Sequence, residues 1–269
     1  MPSTTPEIAV QTLAGSPGDP VLVLGPSLGT RVDRLWETVA SDLDGLHVVG
    51  WDLPGHGSSP AATVGFGLDD LADAVLAAVD RAVGGASRGS PYLYAGDSVG
   101  GGVGLQLLLD HPERFCAAAV LCSGARFGTP ELWAERAALV RAEGMAPMVA
   151  ASPDRWFGRR VKAGPTELTR AAVDDLARVD AGSYAFVCEA LGRFDVTERL
   201  GGITTPLLAI AGADDVVTPP AQHQQLARAT ADGRFAVLRG VGHLAPLEDP
   251  SRTAALLREH FRRAAALVG

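Results

Sequence analysis

Short apolar runs and longer amphipathic stretches alternate along most of this chain of 269 residues. Ile8 to Ala14 reads as an edge strand. After the turn Gly15-Ser-Pro-Gly-Asp-Pro20, the continuous apolar run Val21-Leu-Val-Leu24 has the pattern of a strand covered on both faces. Arg34 to Leu43 predicts a helix, His47-Val-Val-Gly-Trp51 a second buried strand, and Leu68 to Val83 a helix. Tyr92 onward predicts a strand, Gly102 to Asp110 a helix that His111-Pro112 stops, and Ala117 to Cys122 a further strand. Such alternation implies an α/β fold with a mostly parallel central sheet flanked by helices. It is interrupted once. From Thr129 to about Arg193 the pattern is helical throughout, opened by Thr129-Pro-Glu-Leu132, with Thr at an N-cap and Pro at the first helical position, and reopened at Ala163-Gly-Pro-Thr166. Strands resume at Pro206 to Ala211 and Phe235 to Leu238, and Asp249-Pro250 caps a last helix to about Leu267. The expected organisation is a core of residues 1–126 and 195–269 with residues 127–194 inserted as a helical lid.

Composition narrows the class of partner. Hydrophobic residues make up 47% of the chain, ample for a substantial core, and the formal net charge of -8 argues against nucleic acid. The pairs Arg159-Arg160 and Arg262-Arg263 are short enough to be solvated surface. Cys116, Cys122 and Cys188 are odd in number and lack metal-type spacing, which predicts free thiols in a reducing compartment and no metal site. The N-terminus has neither a basic nor an apolar leader region, and no segment is apolar over a membrane-spanning length. The expectation is a soluble, cytoplasmic protein without a cofactor.

The candidate chemistry lies at the ends of the strands. Gly96-x-Ser98-x-Gly100 sits between a strand and a helix, the setting of a nucleophile elbow, in which a sharp, strained turn leaves the serine hydroxyl exposed. Gly85-Ala-Ser87-Arg-Gly89 matches the same pentapeptide but has no strand before it and no helix after it. A serine hydroxyl needs a base, and the base needs an acid to orient it. Gly212-Ala-Asp-Asp215-Val-Val-Thr-Pro219 comes after one later strand and Gly240-Val-Gly-His243 after the next. Ser98, Asp215 and His243 are therefore the expected triad, with Asp214 as the alternative acid and His56 as the rival base. The loop Pro26-Ser-Leu-Gly-Thr30 comes directly after the first buried strand, where a backbone N–H can complete an oxyanion hole.

Several stretches together resemble one family. Pro26 to Thr30, Asp52-Leu-Pro-Gly-His-Gly57, the Ser98 elbow, Gly124-Ala-Arg-Phe-Gly-Thr-Pro-Glu-Leu-Trp133 and Gly242-His243-Leu are similar to α/β-hydrolase enzymes of the 3-oxoadipate enol-lactonase type, along nearly the whole chain. Asp97 and Val99 depart from it, standing where the family usually has a neutral residue and a Met. The resemblance implies hydrolysis of a small anionic enol-lactone in the protocatechuate branch of aromatic degradation. It implies an oxyanion hole from the N–H groups of Val99 and Leu28, or of Ser27 in place of Leu28. The substrate carboxylate would need a cation, for which Arg126 and Arg136 are candidates, with Trp133 as an apolar wall; Trp156 and Tyr184 are further candidate pocket residues.

Overall fold

The computed structural model describes residues 5–84 and 90–268; Ser87, in the second pentapeptide, lies outside the described residues. Seven strands form one sheet: β1 (Val10–Ala14), β2 (Val21–Gly25), β3 (His47–Trp51), β4 (Tyr92–Asp97), β5 (Phe115–Leu121), β6 (Leu207–Gly212) and β7 (Gly233–Leu238). Their order is β1-β3-β2-β4-β5-β6-β7, with only β1 antiparallel to its neighbour. Every residue of β2, β3, β4 and β6 is buried, which is why these strands read as unbroken apolar runs: helices cover both faces of the sheet. Between the strands run α1 (Val32–Ser41), α2 (Leu68–Val83), α3 (Val99–Asp110) and α9 (Pro220–Ala229), and the chain closes with α10 (Ala245–Glu248) and α11 (Pro250–Val268). Helices α1 and α11 pack together, as do α2 and α3.

Between β5 and β6 the chain makes five helices in succession, α4 (Pro130–Glu143), α5 (Ala146–Trp156), α6 (Arg159–Ala163), α7 (Glu167–Leu176) and α8 (Ala181–Arg193). Thr129 caps α4 by accepting the Leu132 N–H, and Thr166 caps α7 by accepting the Thr169 N–H. The sheet winds outward in opposite directions from β2 and β4, whose residues Gly25 and Gly96 lie in register. In open parallel sheets this reversal leaves a crevice beyond the carboxyl ends of the strands. Helix α3 begins at Val99 rather than at the expected Gly102. Glycine is a poor helix former, so Gly100-Gly101-Gly102 reads as a break. Packing requires those glycines: a Cβ on Gly101 would lie 2.5 Å from Ser123 Cβ, and one on Gly102 2.9 Å from Phe127.

Candidate active site

Ser98 stands between β4 and α3 at φ 52° and ψ -117°, one of two non-glycine residues with positive φ among those described. Such a backbone costs of order 1–3 kcal/mol and persists only where the surroundings over-determine it. Ser98 N–H donates to Leu121 O (2.8 Å), and the Ser123 hydroxyl donates to Ser98 O (2.7 Å). Ser123 is held in turn, its N–H donating to Nε2 of His223 on α9 (2.8 Å). Burial pushes the His223 imidazole down to about 4, so it stays neutral and able to accept that bond. The elbow glycines answer to close approach. A Cβ on Gly96 would meet Gly100 O at 2.3 Å, and one on Gly100 would meet Pro26 O at 2.6 Å.

The Ser98 hydroxyl lies 2.8 Å from His243 Nε2, and His243 Nδ1 lies 2.8 Å from Asp215 Oδ2, so three residues from the ends of β4, β6 and β7 form one hydrogen-bonded chain. Asp215 Oδ2 also accepts the Thr218 hydroxyl (2.7 Å), and Oδ1 accepts the N–H groups of Val217 (2.7 Å) and Thr218 (3.1 Å). Burial pushes the Asp215 carboxyl up, but His243 and the Thr218 bonds outweigh it and hold it below the usual carboxylate range. Asp214 faces the other way, toward the insertion: it accepts the Arg159 N–H (3.1 Å) and pairs with that guanidinium (3.3 Å). His56 is away from the chain of three, its Nδ1 bonded to Pro54 O (2.9 Å) and its ring stacked on Tyr184.

The backbone also separates Ser27 from Leu28. The Ser27 N–H is taken by Thr30 Oγ1 (3.1 Å) and the Gly100 N–H by Pro26 O (2.9 Å). Val99 opens α3, where first-turn N–H groups lack an intrahelical acceptor. Of the two loop candidates, Ser27 therefore has its N–H committed to Thr30.

A cavity of about 30 Å³ opens in front of Ser98 and His243, with Leu28 on the sheet side and Trp133, Arg136, Arg155, Trp156 and Tyr184 from the insertion. That volume holds one or two waters. Trp133 is fixed by its indole N–H, which donates to Phe127 O (2.6 Å). Arg136 lies over the rings of Trp133 (5.4 Å) and Tyr184 (5.9 Å). Arg126 is not there. It is exposed and lines a separate surface groove with Asp195, Glu198 and Arg199, because its backbone pairs with Asp195 at the base of the insertion. Arg155 lines the cavity instead. It was unreadable in the sequence because it sits in a helical stretch without a motif. Burial, and next the Arg136 guanidinium, pull Arg155 below its ordinary value, and neither arginine forms an ion pair among the described residues.

Asp97, just before Ser98, is fully buried with both carboxyl oxygens unpartnered. Burial first, then Asp215 and Glu248, raise it well above the ordinary carboxylate value. A raised folded value means that its favourable contribution is complete below the unfolded value of about 4 and is lost as pH rises. Asp97→Asn is therefore expected to stabilise the protein at alkaline pH by about 1–3 kcal/mol, with the gain closing as pH falls. Urea unfolding at several pH values checks this, and a gain independent of pH would contradict it. Among the described residues, no group of three or more His, Cys, Asp or Glu is placed to hold a metal, and no helix is long and apolar enough to cross a membrane.

The chain is similar to known proteins along most of its length. Residues 33–250 match the Hydrolase_4 family, described as serine aminopeptidase, S33. The chain is 32% identical to 3-oxoadipate enol-lactonase 2 of Acinetobacter baylyi over 88% of its own length and 86% of that protein. It is 30% identical to a pimeloyl-[acyl-carrier protein] methyl ester esterase of Neisseria meningitidis over 77% of its length and 80% of that protein. The crystal structure of the enol-lactonase from Burkholderia xenovorans superposes with a TM-score of 0.86 at 29% identity, covering 95% of this chain and 96% of the other.

Proposed function

We propose that this chain, which belongs to the α/β-hydrolase family, opens 3-oxoadipate enol-lactone to 3-oxoadipate through a Ser98 acyl-enzyme. His243 Nε2 takes the Ser98 proton as Oγ attacks the lactone carbonyl, and the N–H groups of Leu28 and Val99 hold the oxyanion. The ring C–O bond breaks and expels an enolate, which takes up the proton carried by His243 and becomes the ketone, leaving the imidazole neutral. His243 then removes a proton from water as it attacks the acyl-enzyme, and returns that proton to Ser98 Oγ as the acyl C–O bond breaks. Asp215 holds the imidazole tautomer and favours its charged form. The residues lie within hydrogen-bond reach in the order this requires.

The observation that carries the substrate assignment is the pair Arg136 and Arg155 in the cavity before Ser98, two guanidinium groups without an ion pair among the described residues. Two like charges in a partly desolvated site call for an anion. The lactone supplies a carboxylate on a molecule small enough for a narrow site. The relationship to a methyl ester esterase keeps a second reading in play, a hydrolase of open-chain esters. Steady-state kinetics on the enol-lactone and on neutral p-nitrophenyl esters separates the two. The expected result is a higher kcat/KM for the lactone, and preference for the neutral esters overturns the assignment.

A further inference from the structure

Backbone joins the helical insertion to the loop carrying His243, and one buried carboxylate spans the joint. Glu248 Oε2 accepts the Gly158 N–H (2.7 Å), just after α5, and Oε1 accepts the Gly242 N–H (2.8 Å), just before His243. Between these bonds the His243 N–H donates to Trp156 O (2.7 Å). The two segments touch main chain to main chain. A Cβ on Gly158 would lie 2.6 Å from Gly240 O and 2.8 Å from Gly242 N, and one on Gly242 would lie 2.6 Å from Gly158 N. Arg155 and Trp156, which immediately precede this joint, send their side chains into the cavity.

We infer that Glu248 is a positioning residue: its carboxylate clamps the Trp156 to Gly158 segment onto the His243 loop and sets the imidazole and the cavity wall in place together. The inference rests on the reading of His243 as the catalytic base. A carboxylate can accept both N–H groups at once. A carboxylic acid accepts more weakly, and its O–H, where it faces one of these N–H groups, costs that bond.

The clamp therefore depends on charge state. Burial pushes the Glu248 carboxyl up to about 7, against the backbone N–H groups of Gly158, Gly242 and Leu244 that favour its charged form, and Asp215 adds to the rise. Asp97 also lies close enough for mutual repulsion. Of the charged groups on the loops and helices near α10, Asp214 pairs with Arg159, Asp249 with Arg160 and Arg252, Arg34 of α1 with Asp175 of α7, and the titratable His243 faces Asp215. With the carboxylate charged both bonds form, and protonation, near 7, weakens the clamp. Global stability runs the other way. A raised folded value makes the stabilising contribution of Glu248 complete below its unfolded value and lost as pH rises. Glu248→Gln should then gain relative stability at alkaline pH just where it loses activity, an opposition that a merely structural role does not produce.

The test compares kcat of wild type and Glu248→Gln on p-nitrophenyl acetate across the pH range, with Ser98→Ala as control. An active control would sink the reading of Ser98 and His243 as the catalytic pair, and exchange of the Gly158 and Gly242 amides would then decide the clamp by itself. At about pH 8.5 the variant is expected to be about 10- to 100-fold slower, the usual cost of a misplaced catalytic group, and at about pH 5.5 within about twofold of wild type. A rate ratio that stays constant with pH, or no loss at alkaline pH, overturns the proposal. Hydrogen exchange of the Gly158 and Gly242 amides in the wild type, corrected for intrinsic rates, decides independently of whether the variant folds. Protection that rises on going from acid to alkaline pH supports the clamp, and protection that does not rise overturns it.

Discussion

Ser98→Ala is expected to lower turnover by about 10⁴-fold or more while leaving the fold intact, because loss of the attacking oxygen leaves only the residual catalysis of oxyanion donors and binding. Alanine keeps the Cβ and the hydrogen bonds at the Ser98 backbone, which come from Leu121 and Ser123 and do not involve the hydroxyl. Circular dichroism and thermal unfolding should therefore show a native protein. Labelling by a fluorophosphonate should disappear with the activity. Wild-type protein that does not label would favour a ligand-binding member of the fold, and equal losses in Ser87→Ala would show that the second pentapeptide carries the chemistry.

Removal of the Arg155 charge, as in Arg155→Gln, should lower kcat/KM for the enol-lactone by about 30-fold or more. Breaking a desolvated charge pair costs about 2–5 kcal/mol. Hydrolysis of a neutral ester should change by less than about threefold, since no carboxylate is there to lose its partner. The loss should fall mainly on KM, because the carboxylate is charged equally in the ground state and the transition state. Arg126→Gln is the internal control, being exposed outside the cavity, and should leave both substrates unaffected. Equal losses on lactone and neutral ester would show that Arg155 only packs the wall.

Asp214 and Asp215 show where reading in one dimension stops. Both come after β6 within the same loop, and spacing alone favours Asp215 without excluding its neighbour. Their side chains diverge: Asp215 turns to Thr218 and His243, and Asp214 turns to Arg159 on a helix 55 residues earlier in the chain. Thr218 carried a signal, a hydroxyl three residues after an acid in a turn, which is a common local hydrogen-bonding arrangement. Glu248 carried almost none. It reads as one more polar residue after His243, and its importance arises from Gly158, which lies 90 residues away.

By itself the sequence determined what depends on local periodicity and order. Unbroken apolar runs require strands covered on both faces, their alternation with helices requires a parallel sheet, and the interruption after β5 requires an insertion. The same order puts Ser98, Asp215 and His243 after β4, β6 and β7, and parallel strands deliver the loops at their carboxyl ends to one edge of the sheet. Only the tertiary structure decided which polar side chains meet across that edge. It put Arg155 rather than Arg126 in the cavity, committed the Ser27 N–H to Thr30, left Asp97 without a partner, and gave Glu248 two backbone N–H groups from segments far apart in the chain. The physical reason is range. Periodicity reports which face of an element is buried, whereas a hydrogen bond is decided over about 3 Å, by loops and helix ends whose approach no local pattern encodes.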